Sequence, residues 1–299
     1  MENRLVSVVI PAYNCGHLIS RALNSVISQT YPHWEALVID NHSEDNTREV
    51  IRSFDDDRIR YMTIRNNGII ACSRNLGVRE ARGRWLAFLD ADDWWMPVKL
   101  EKSVRALERG SDFVYHDLFR AGPGKGPLPW MKVRTRQLGS PVFHDLISRG
   151  NAITNSSVVV EKSLFIDSGG LSEAPELVAI EDFEAWLRIS LRSEKFRRLP
   201  GAYGFYWIGD GNTSSPTRTI AGVSSIERMY CGMAADGIDA HRPAWMSLAL
   251  ARANYRLGNH AEASKCIATA QHVNMPDIFD IGILVRLLLL KFTCARKAG

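Results

Sequence analysis

The sequence predicts an α/β fold, with a mostly parallel sheet flanked by helices and a helical extension at the C-terminal end. Two observations lead to this class. Over residues 5–115, short apolar runs alternate with segments whose apolar residues recur at helical spacing. From about Ala221 onward the pattern is wholly helical. Strands separated by short helices need crossover connections, so neighbouring strands are expected to be parallel.

Strands and helices alternate through the first part of the chain. The first strand is a β-branched run that Pro11 closes, and Pro97 lies in the first turn of a later helix, where proline is favoured. The predicted strands are residues 5–10, 36–39, 58–64, 85–89 and 113–115, and the predicted helices are residues 18–27, 46–54, 73–81 and 97–108.

The second part of the chain has weaker patterns. Residues 121–129 are rich in glycine and proline but lack the Gly-Lys-Ser/Thr ending of a phosphate-binding P-loop, so we expect a mobile loop here. Residues 251–263 resemble a tetratricopeptide helix pair, although one copy is too few for a repeat array. Further strands are predicted at residues 156–160 and 196–199, and further helices at residues 181–191, 245–257, 260–270 and 278–292.

Composition excludes several classes of protein. The net charge of +4 is too small to indicate nucleic-acid binding. The five cysteines are odd in number and show no Cys-x-x-Cys spacing, so neither a disulfide framework nor a zinc site is expected. The N-terminal residues lack the apolar core of a signal peptide, and a cytoplasmic location is expected.

The C-terminal end is apolar and basic. Residues 278–292 fall short of the ~20 apolar residues that span a bilayer, and no acidic residue follows Asp280. We expect this helix to make a peripheral contact with an anionic membrane surface, on its inner face. The alternative is a packing helix with a solvated tail. The basic residues are Arg286, Lys291, Arg296 and Lys297.

Three carboxylates follow the fourth predicted strand, in the run Asp90-Ala91-Asp92-Asp93. Carboxylates this close repel each other and stay ionised only beside a counter-charge. A hard divalent cation supplies that charge, and Mg²⁺ usually combines one or two carboxylates with substrate phosphates and water. The run therefore predicts a site for a metal-bound diphosphate. Aspartates also cluster at strand ends for local reasons, which is the structural alternative.

Polar residues also follow the first two strands. Pro11 and Tyr13 lie at the end of the first, and Asp40 and Asn41 at the end of the second. Parallel sheets bind ligands outside the carboxyl ends of their strands. We therefore expect these residues and the acidic run to converge on one edge of the sheet.

Several segments resemble the motifs of family 2 glycosyltransferases with the GT-A fold. They are residues 6–14, 38–47, 67–83, 88–93, 169–173 and 181–188, and their order and spacing together are specific. The resemblance covers about residues 5–215. It implies a GT-A domain over residues 1–220, with a nucleotide-sugar-binding half (1–115) and an acceptor half (116–220), followed by a helical region (221–299).

The resemblance assigns roles to individual residues. Asp182 would be the general base, Asp92 would bind Mg²⁺ or Mn²⁺, and Asp93 would cap the following helix. Asp40 has the alternative of an Asx-turn residue, and Trp186 is expected to pack rather than to line the site. The implied nucleotide-sugar ligands are Pro11, Tyr13, Asp40 and Asn41 for the base, Arg74 for the diphosphate or the nearby carboxylates, and Asp90 for the sugar or ribose.

The implied reaction is the metal-dependent, inverting, non-processive transfer of a sugar from a nucleotide-diphosphate sugar, with UDP favoured, to a hydroxyl of a glycan or glycolipid in surface polysaccharide synthesis. The flexible region over residues 120–140 is expected to close over the donor or the acceptor. One departure matters. Relatives often carry Tyr-Arg-x-His after the last strand, where this chain has Trp207 and Gly209. Either another cation, such as Arg218, closes the site or activity is reduced. The alternatives are a non-catalytic nucleotide-sugar-binding or assembly subunit and an Asp-x-Asp phosphatase.

Overall fold

The first strand of the chain lies inside the parallel part of the sheet. In this computed structural model, which describes residues 4–123, 125–209, 214–231 and 242–270, β1 (Val6–Ala12) pairs in parallel with β2 (Trp34–Asp40), and β2 pairs with β3 (Ile59–Thr63). On its other side β1 pairs in parallel with β4 (Trp85–Phe88). Every residue of β1 and β2 is buried, as expected for parallel strands covered on both faces.

The sheet continues beyond β4 with mixed strand directions. The added strands are β5 (Trp94–Trp95), β6 (Phe113–Gly122), β7 (Lys125–Val133), β8 (Val159–Glu161) and β9 (Phe196–Trp207). The order is β3-β2-β1-β4-β8-β6-β9-β5, with β7 paired to β6. Because β8 runs antiparallel to both β4 and β6, the α/β class is confirmed with a mixed rather than mostly parallel sheet.

Helices connect the strands and continue to the end of the described chain. They are α1 (Gly16–Ile27), α2 (Thr47–Arg52), α3 (Ile70–Glu80), α4 (Lys99–Glu108), α5 (Val142–Arg149), α6 (Lys162–Asp167), α7 (Glu181–Ser190), α8 (Pro216–Tyr230), α9 (Ala244–Arg256) and α10 (His260–Ala270). Two of the helices, α5 and α6, lie where no element was predicted, and the others lie close to predicted helical segments. The predicted helix at 278–292 lies outside the described residues.

The prediction of a loop over residues 121–129 is wrong. Strand β6 runs on to Gly122, and β7 folds back onto it with register shifts on either side of Arg120. Two prolines of β7, Pro127 and Pro129, fit a strand that pairs on one side with β6, since proline is tolerated at sheet edges. Pairing with a neighbouring strand overrides the local glycine and proline pattern here.

The chain forms two compact units. The first comprises Met1–Leu138, Ala152–Glu173 and Arg188–Gly211, and the second comprises Gly139–Asn151, Ala174–Leu187 and Asn212–Gly299. These boundaries differ from the division at residues 115 and 220 that the resemblance implies. That division was defined by function and stays a prediction.

Close packing of α3 against β1 positions the candidate site. A Cβ on Gly77 would lie 2.6 Å from Cγ1 of Val9, which is nearer than two carbons approach, so only glycine fits without movement. Val9 is fully buried and cannot move away freely. The same helix carries Arg74 one turn earlier, so this contact sets the height of Arg74 above the sheet.

We expect Gly77→Ala to destabilise the protein by about 1–3 kcal/mol, because overpacking outweighs the better helix propensity of alanine. Arg79→Ala, at an exposed position of the same helix, should change stability by less than about 0.5 kcal/mol. Urea denaturation of the three proteins measures both values. Equal stability of Gly77→Ala and the wild type would contradict the close packing of α3.

Candidate active site

Asp90 is anchored by a buried arginine. Arg74, of which 4% is exposed, donates from Nη2 to Asp90 Oδ1 at 2.6 Å. Asn155 Nδ2 donates to the same oxygen at 3.2 Å, and the Asp90 N–H donates to Ser156 Oγ at 3.1 Å. Hydrogen bonds between ionised partners are short and strong. Arg74 therefore balances the charge of Asp90 and holds it in one orientation.

Asp92 has a different environment. It is half-buried, and no other residue in the described part of the chain donates a hydrogen bond to its carboxylate. Burial raises the pKa of Asp92 to about 6, with a further contribution from the charge of Asp90. Its backbone carbonyl is held by Arg21, whose Nη2 donates at 2.7 Å. The Asp92 carboxylate therefore accepts no hydrogen bond from another described residue, although the charges of Arg21 and Arg74 act on it, and it is suited to bind a cation.

Asp93 is fully buried and has a structural role. Burial raises its pKa well above the usual range, and the charges of Asp92 and Asp90 add to the effect. Its Oδ1 accepts a hydrogen bond from the Trp207 N–H at 2.8 Å. The expectation that Asp93 caps the next helix is wrong, because α4 begins at Lys99 with Val98 at its N-cap. A backbone donor from a distant strand reaches Asp93 instead.

The end of β1 presents an exposed aromatic ring. Pro11 is buried within the strand, whereas Tyr13, just beyond it, is 58% exposed. An exposed ring next to a ligand edge can stack on a nucleobase. This exposure also shows that Tyr13 is not part of the apolar core.

Asp40 is saturated by protein donors. Its Oδ1 accepts from the Ser43 N–H at 3.1 Å and from Ser43 Oγ at 2.5 Å, and its Oδ2 accepts from the Tyr61 hydroxyl at 2.7 Å. Burial and this hydrogen bond raise the pKa of Tyr61 to about 12. The bond to the Ser43 N–H spans three residues, one more than an Asx-turn, and the loop after β2 takes its shape from this contact.

Asn41 lies beside Asp40 with one end of its amide in use. Its Oδ1 accepts from the Asn66 N–H at 2.9 Å, and its own N–H donates to the Ala12 carbonyl at 2.9 Å. Among the described residues, nothing accepts a hydrogen bond from its Nδ2. This amide group can donate to a ligand at the edge where β1 and β2 end.

Asp182 lies in the second unit, in the first turn of α7. It is half-buried, and its Oδ1 accepts from the Phe183 N–H at 2.6 Å. Trp186, four residues further along α7, is fully buried, which agrees with its expected role in packing. The role of Asp182 as general base stays a prediction.

The end of β9 packs against Arg21, a contact that the sequence did not predict. The guanidinium of Arg21, on α1, lies 4.5 Å from the centre of the Trp207 ring. The backbone at Gly209 approaches this ring so closely that an added Cβ would overlap the ring. Arg218, the substitute cation named from the sequence, lies in the second unit, where its backbone N–H donates to Ser215 Oγ at 3.2 Å.

Sequence reasoning missed three residues around the acidic run: Arg21, Asn155 and Ser156. The stretch Thr154-Asn155-Ser156-Ser157 is a polar run before a strand, and this is the only local signal for the last two. Arg21 lies at an ordinary position of an amphipathic helix. Its contact with the run depends on how α1 packs, which no local pattern encodes.

A family comparison decides the class of this site. The family described as "Glycosyl transferase family 2" matches residues 7–159, which contain β1 to β4 and the whole acidic run. The chain belongs to glycosyltransferase family 2. The resemblance drawn from the sequence motifs is therefore confirmed.

Two family 2 relatives from Escherichia coli, WfgD and WfaP, are named UDP-Glc:alpha-D-GlcNAc-diphosphoundecaprenol beta-1,3-glucosyltransferases. WfgD is 42% identical over 116 residues, which are 38% of this chain and 46% of that protein. WfaP is 39% identical over 215 residues, which are 71% of this chain and 80% of that protein. The chain thus spans about half the length of WfgD and most of WfaP.

Solved structures of low sequence identity share the fold. S. aureus TarS 1-349 in complex with UDP-GlcNAc superposes with a TM-score of 0.62 at 16% identity, over 99% of this chain and 91% of TarS. The mannosyltransferase PcManGT from Pyrobaculum calidifontis, in complex with GDP-Man and Mn²⁺, gives 0.55 at 17% identity, over 99% of this chain and 87% of that one. The GT-A type of fold expected for family 2 is therefore confirmed.

The described residues contain neither a membrane-spanning helix nor a cluster of metal-ligating side chains. None of the described helices is both long and apolar enough to cross a bilayer. Within the same residues, no group of three or more histidine, cysteine or acidic side chains is arranged to hold a metal ion.

We expect the Arg74–Asp90 pair to show a coupling energy of at least about 1 kcal/mol in a double-mutant cycle on stability, because its partners are poorly solvated. The cycle uses Arg74→Ala, Asp90→Ala and the double variant in urea denaturation. The matched control is the pair Arg105–Glu101, whose side chains are 55% and 40% exposed, and which should give at most about 0.5 kcal/mol. Equal coupling in the two pairs would refute the anchoring of Asp90.

Proposed function

We propose that the protein transfers a sugar from a UDP-sugar to a hydroxyl of a lipid-linked or polymeric glycan acceptor, with a divalent metal and with inversion at the anomeric carbon. One observation carries this proposal: Asp92 lies at the ligand edge of the sheet with no described donor, directly beside an Asp90 whose charge Arg74 already balances. The free negative charge is thus concentrated on one carboxylate.

The relatives support the choice of donor and acceptor. WfgD and WfaP are named for transfer from UDP-Glc to a GlcNAc-diphosphate lipid, and TarS was solved with UDP and with UDP-GlcNAc. A family 2 chain with this similarity is expected to use the same class of donor. An acceptor on a lipid diphosphate would place the reaction at a membrane surface, as in surface polysaccharide synthesis. The basic C-terminal helix expected to contact that surface lies outside the described residues.

The residues at the β1 and β2 ends suit a pyrimidine base. Tyr13 offers an exposed ring for stacking, and Asn41 Nδ2 offers a donor to a base carbonyl oxygen. Asp40, with both oxygens occupied, shapes the loop that carries Asn41 rather than reading the base itself. This division of roles differs from the joint contact by Asp40 and Asn41 that the resemblance implies.

The acidic run fits a metal shared with the donor. The Asp92 carboxylate accepts no hydrogen bond from another described residue. It would hold Mg²⁺ or Mn²⁺ together with diphosphate oxygens and water. Asp90, held by Arg74, would accept hydrogen bonds from the ribose or sugar hydroxyls. When bound, such a cation neutralises the charge that develops on the leaving diphosphate.

Asp182 would act as the general base. It takes the proton of the acceptor hydroxyl while the hydroxyl oxygen bonds to the anomeric carbon, and the bond from that carbon to the diphosphate oxygen breaks on the opposite face. The nucleotide diphosphate leaves, and the configuration inverts. A positioned base of this kind contributes about 10²–10⁴-fold to rate.

A non-catalytic nucleotide-sugar-binding subunit is the second candidate, because Trp207 and Gly209 stand where relatives often carry basic residues. Release of UDP by purified protein, dependent on acceptor, separates the two candidates. A phosphatase is disfavoured by the family match and by the position of the acidic run after the fourth strand.

We expect Asp182→Asn to lower transfer by about 10²–10⁴-fold, because the amide cannot accept the proton. The assay follows UDP release from UDP-glucose with Mn²⁺ and a GlcNAc-diphosphate-lipid acceptor. Binding of UDP, measured by calorimetry, should stay near the wild-type value. Asp167→Asn, at an exposed carboxylate of α6, is the matched control and should retain transfer. Full turnover by Asp182→Asn would exclude Asp182 as the base.

We expect Asp92→Asn to weaken UDP binding at least about tenfold in the presence of Mn²⁺, because a neutral amide is a poorer ligand for a hard cation. Binding of UDP without metal should change little. Asp57→Asn, at an exposed loop position, controls for general loss of charge. A Mn²⁺ dependence equal to that of the wild type would remove Asp92 from the metal site.

A further inference from the structure

A cation lies between two aromatic rings beside the acidic run. The Arg21 guanidinium carbon is 3.7 Å from the centre of the Trp94 ring and 4.5 Å from the centre of the Trp207 ring. From this position Arg21 Nη2 donates to the Asp92 carbonyl oxygen at 2.7 Å. A guanidinium that contacts two aromatic rings and donates a hydrogen bond keeps few orientations open.

The two rings come from segments that the sheet holds together. Strand β5 pairs antiparallel with β9, with Trp94 opposite Phe205, and these rings stack with centres 4.9 Å apart and planes 15° apart. The Trp207 N–H also donates to Asp93 Oδ1. The acidic run is thus held from one side by α1 and from the other by β9.

The Trp207 ring can occupy its position because residue 209 is a glycine. A Cβ at Gly209 would overlap Nε1 and Cε2 of the Trp207 indole. Any other residue there would displace the ring or move the backbone. The two departures from the family pattern, Trp207 and Gly209, therefore work together: the glycine leaves the space that the indole occupies on Arg21.

We propose that Arg21, packed against Trp94 and Trp207, is a positioning residue that holds the Asp92 loop for metal-dependent nucleotide binding. This inference rests on the proposed function. Trp207 packs on the Arg21 guanidinium, which also reaches the acidic run. Holding the Asp92 carbonyl limits the conformations of the loop, so less ordering is needed when the ligand binds.

The test is calorimetry with UDP, at saturating Mn²⁺ and without metal, on the full chain. We expect Arg21→Ala to raise the Kd for UDP in Mn²⁺ about tenfold or more, since it removes a hydrogen bond from a charged donor and a cation that contacts two aromatic rings. Arg21→Lys keeps the charge without the planar stack, so it should restore only part of the affinity. Binding without metal should change much less in both variants.

A double-mutant cycle tests the contact between Arg21 and the Trp207 ring while keeping Arg21. Trp207→Ala removes one ring but keeps the N–H that binds Asp93, and Gly209→Ala displaces the ring by overlap. Each should weaken UDP binding in Mn²⁺ about three- to tenfold, and the double variant should be no weaker than the weaker single, because both changes remove the same contact. These variants carry the test if Arg21→Ala does not fold.

The matched control is Arg58→Ala. Arg58 stacks on Trp34 at the same 3.7 Å, but Trp34 is the first residue of β2, at the opposite end from Asp40. It should bind UDP as the wild type does. This inference alone would be overturned if the Arg21 and Trp207 variants bound UDP as tightly as the wild type does. It would also be overturned if the losses of affinity in the Trp207 and Gly209 variants were additive. A wild-type protein that binds neither UDP nor GDP with Mn²⁺ would overturn the proposed function as well.

Discussion

Repulsion among three carboxylates within four residues is the constraint on which the candidate site depends. The fold resolves it differently at each position. Asp90 forms an ion pair with Arg74, and Asp93 is buried, with a raised pKa and a backbone donor. Of the three, Asp92 alone has a carboxylate that accepts no hydrogen bond from another described residue. The scaffold thus concentrates the unbalanced charge at one position of the ligand edge.

The parallel strands make that arrangement possible. Strands β1, β2 and β4 end side by side, so residues far apart in sequence meet at one edge. The helix α3 brings Arg74 to this edge through the close approach of Gly77 to Val9. A scaffold that is buried on both faces restricts each of these positions, which is a requirement for a site that must bind its ligands with fixed geometry.

The sequence predicted the parallel half of the fold more fully than the rest. Alternating apolar runs and helical spacing are local signals, and they located β1 to β4 and the helices between them. The hairpin of β6 and β7, the two-residue strand β5 and the direction of β8 were missed. These features depend on pairing between distant segments, which glycine and proline content does not report.

By itself, the sequence determined the alternation of strands and helices up to the fourth strand, the acidic run that follows this strand, and the family. Each of these depends on residue types at short spacing. Only the tertiary structure decided which groups meet at the run. Arg21 and Asp92 are 71 positions apart, and Trp207 and Asp93 are 114 apart. Contacts over such separations follow from how helices and strands pack, and a periodic pattern encodes the buried face of an element but not its partner.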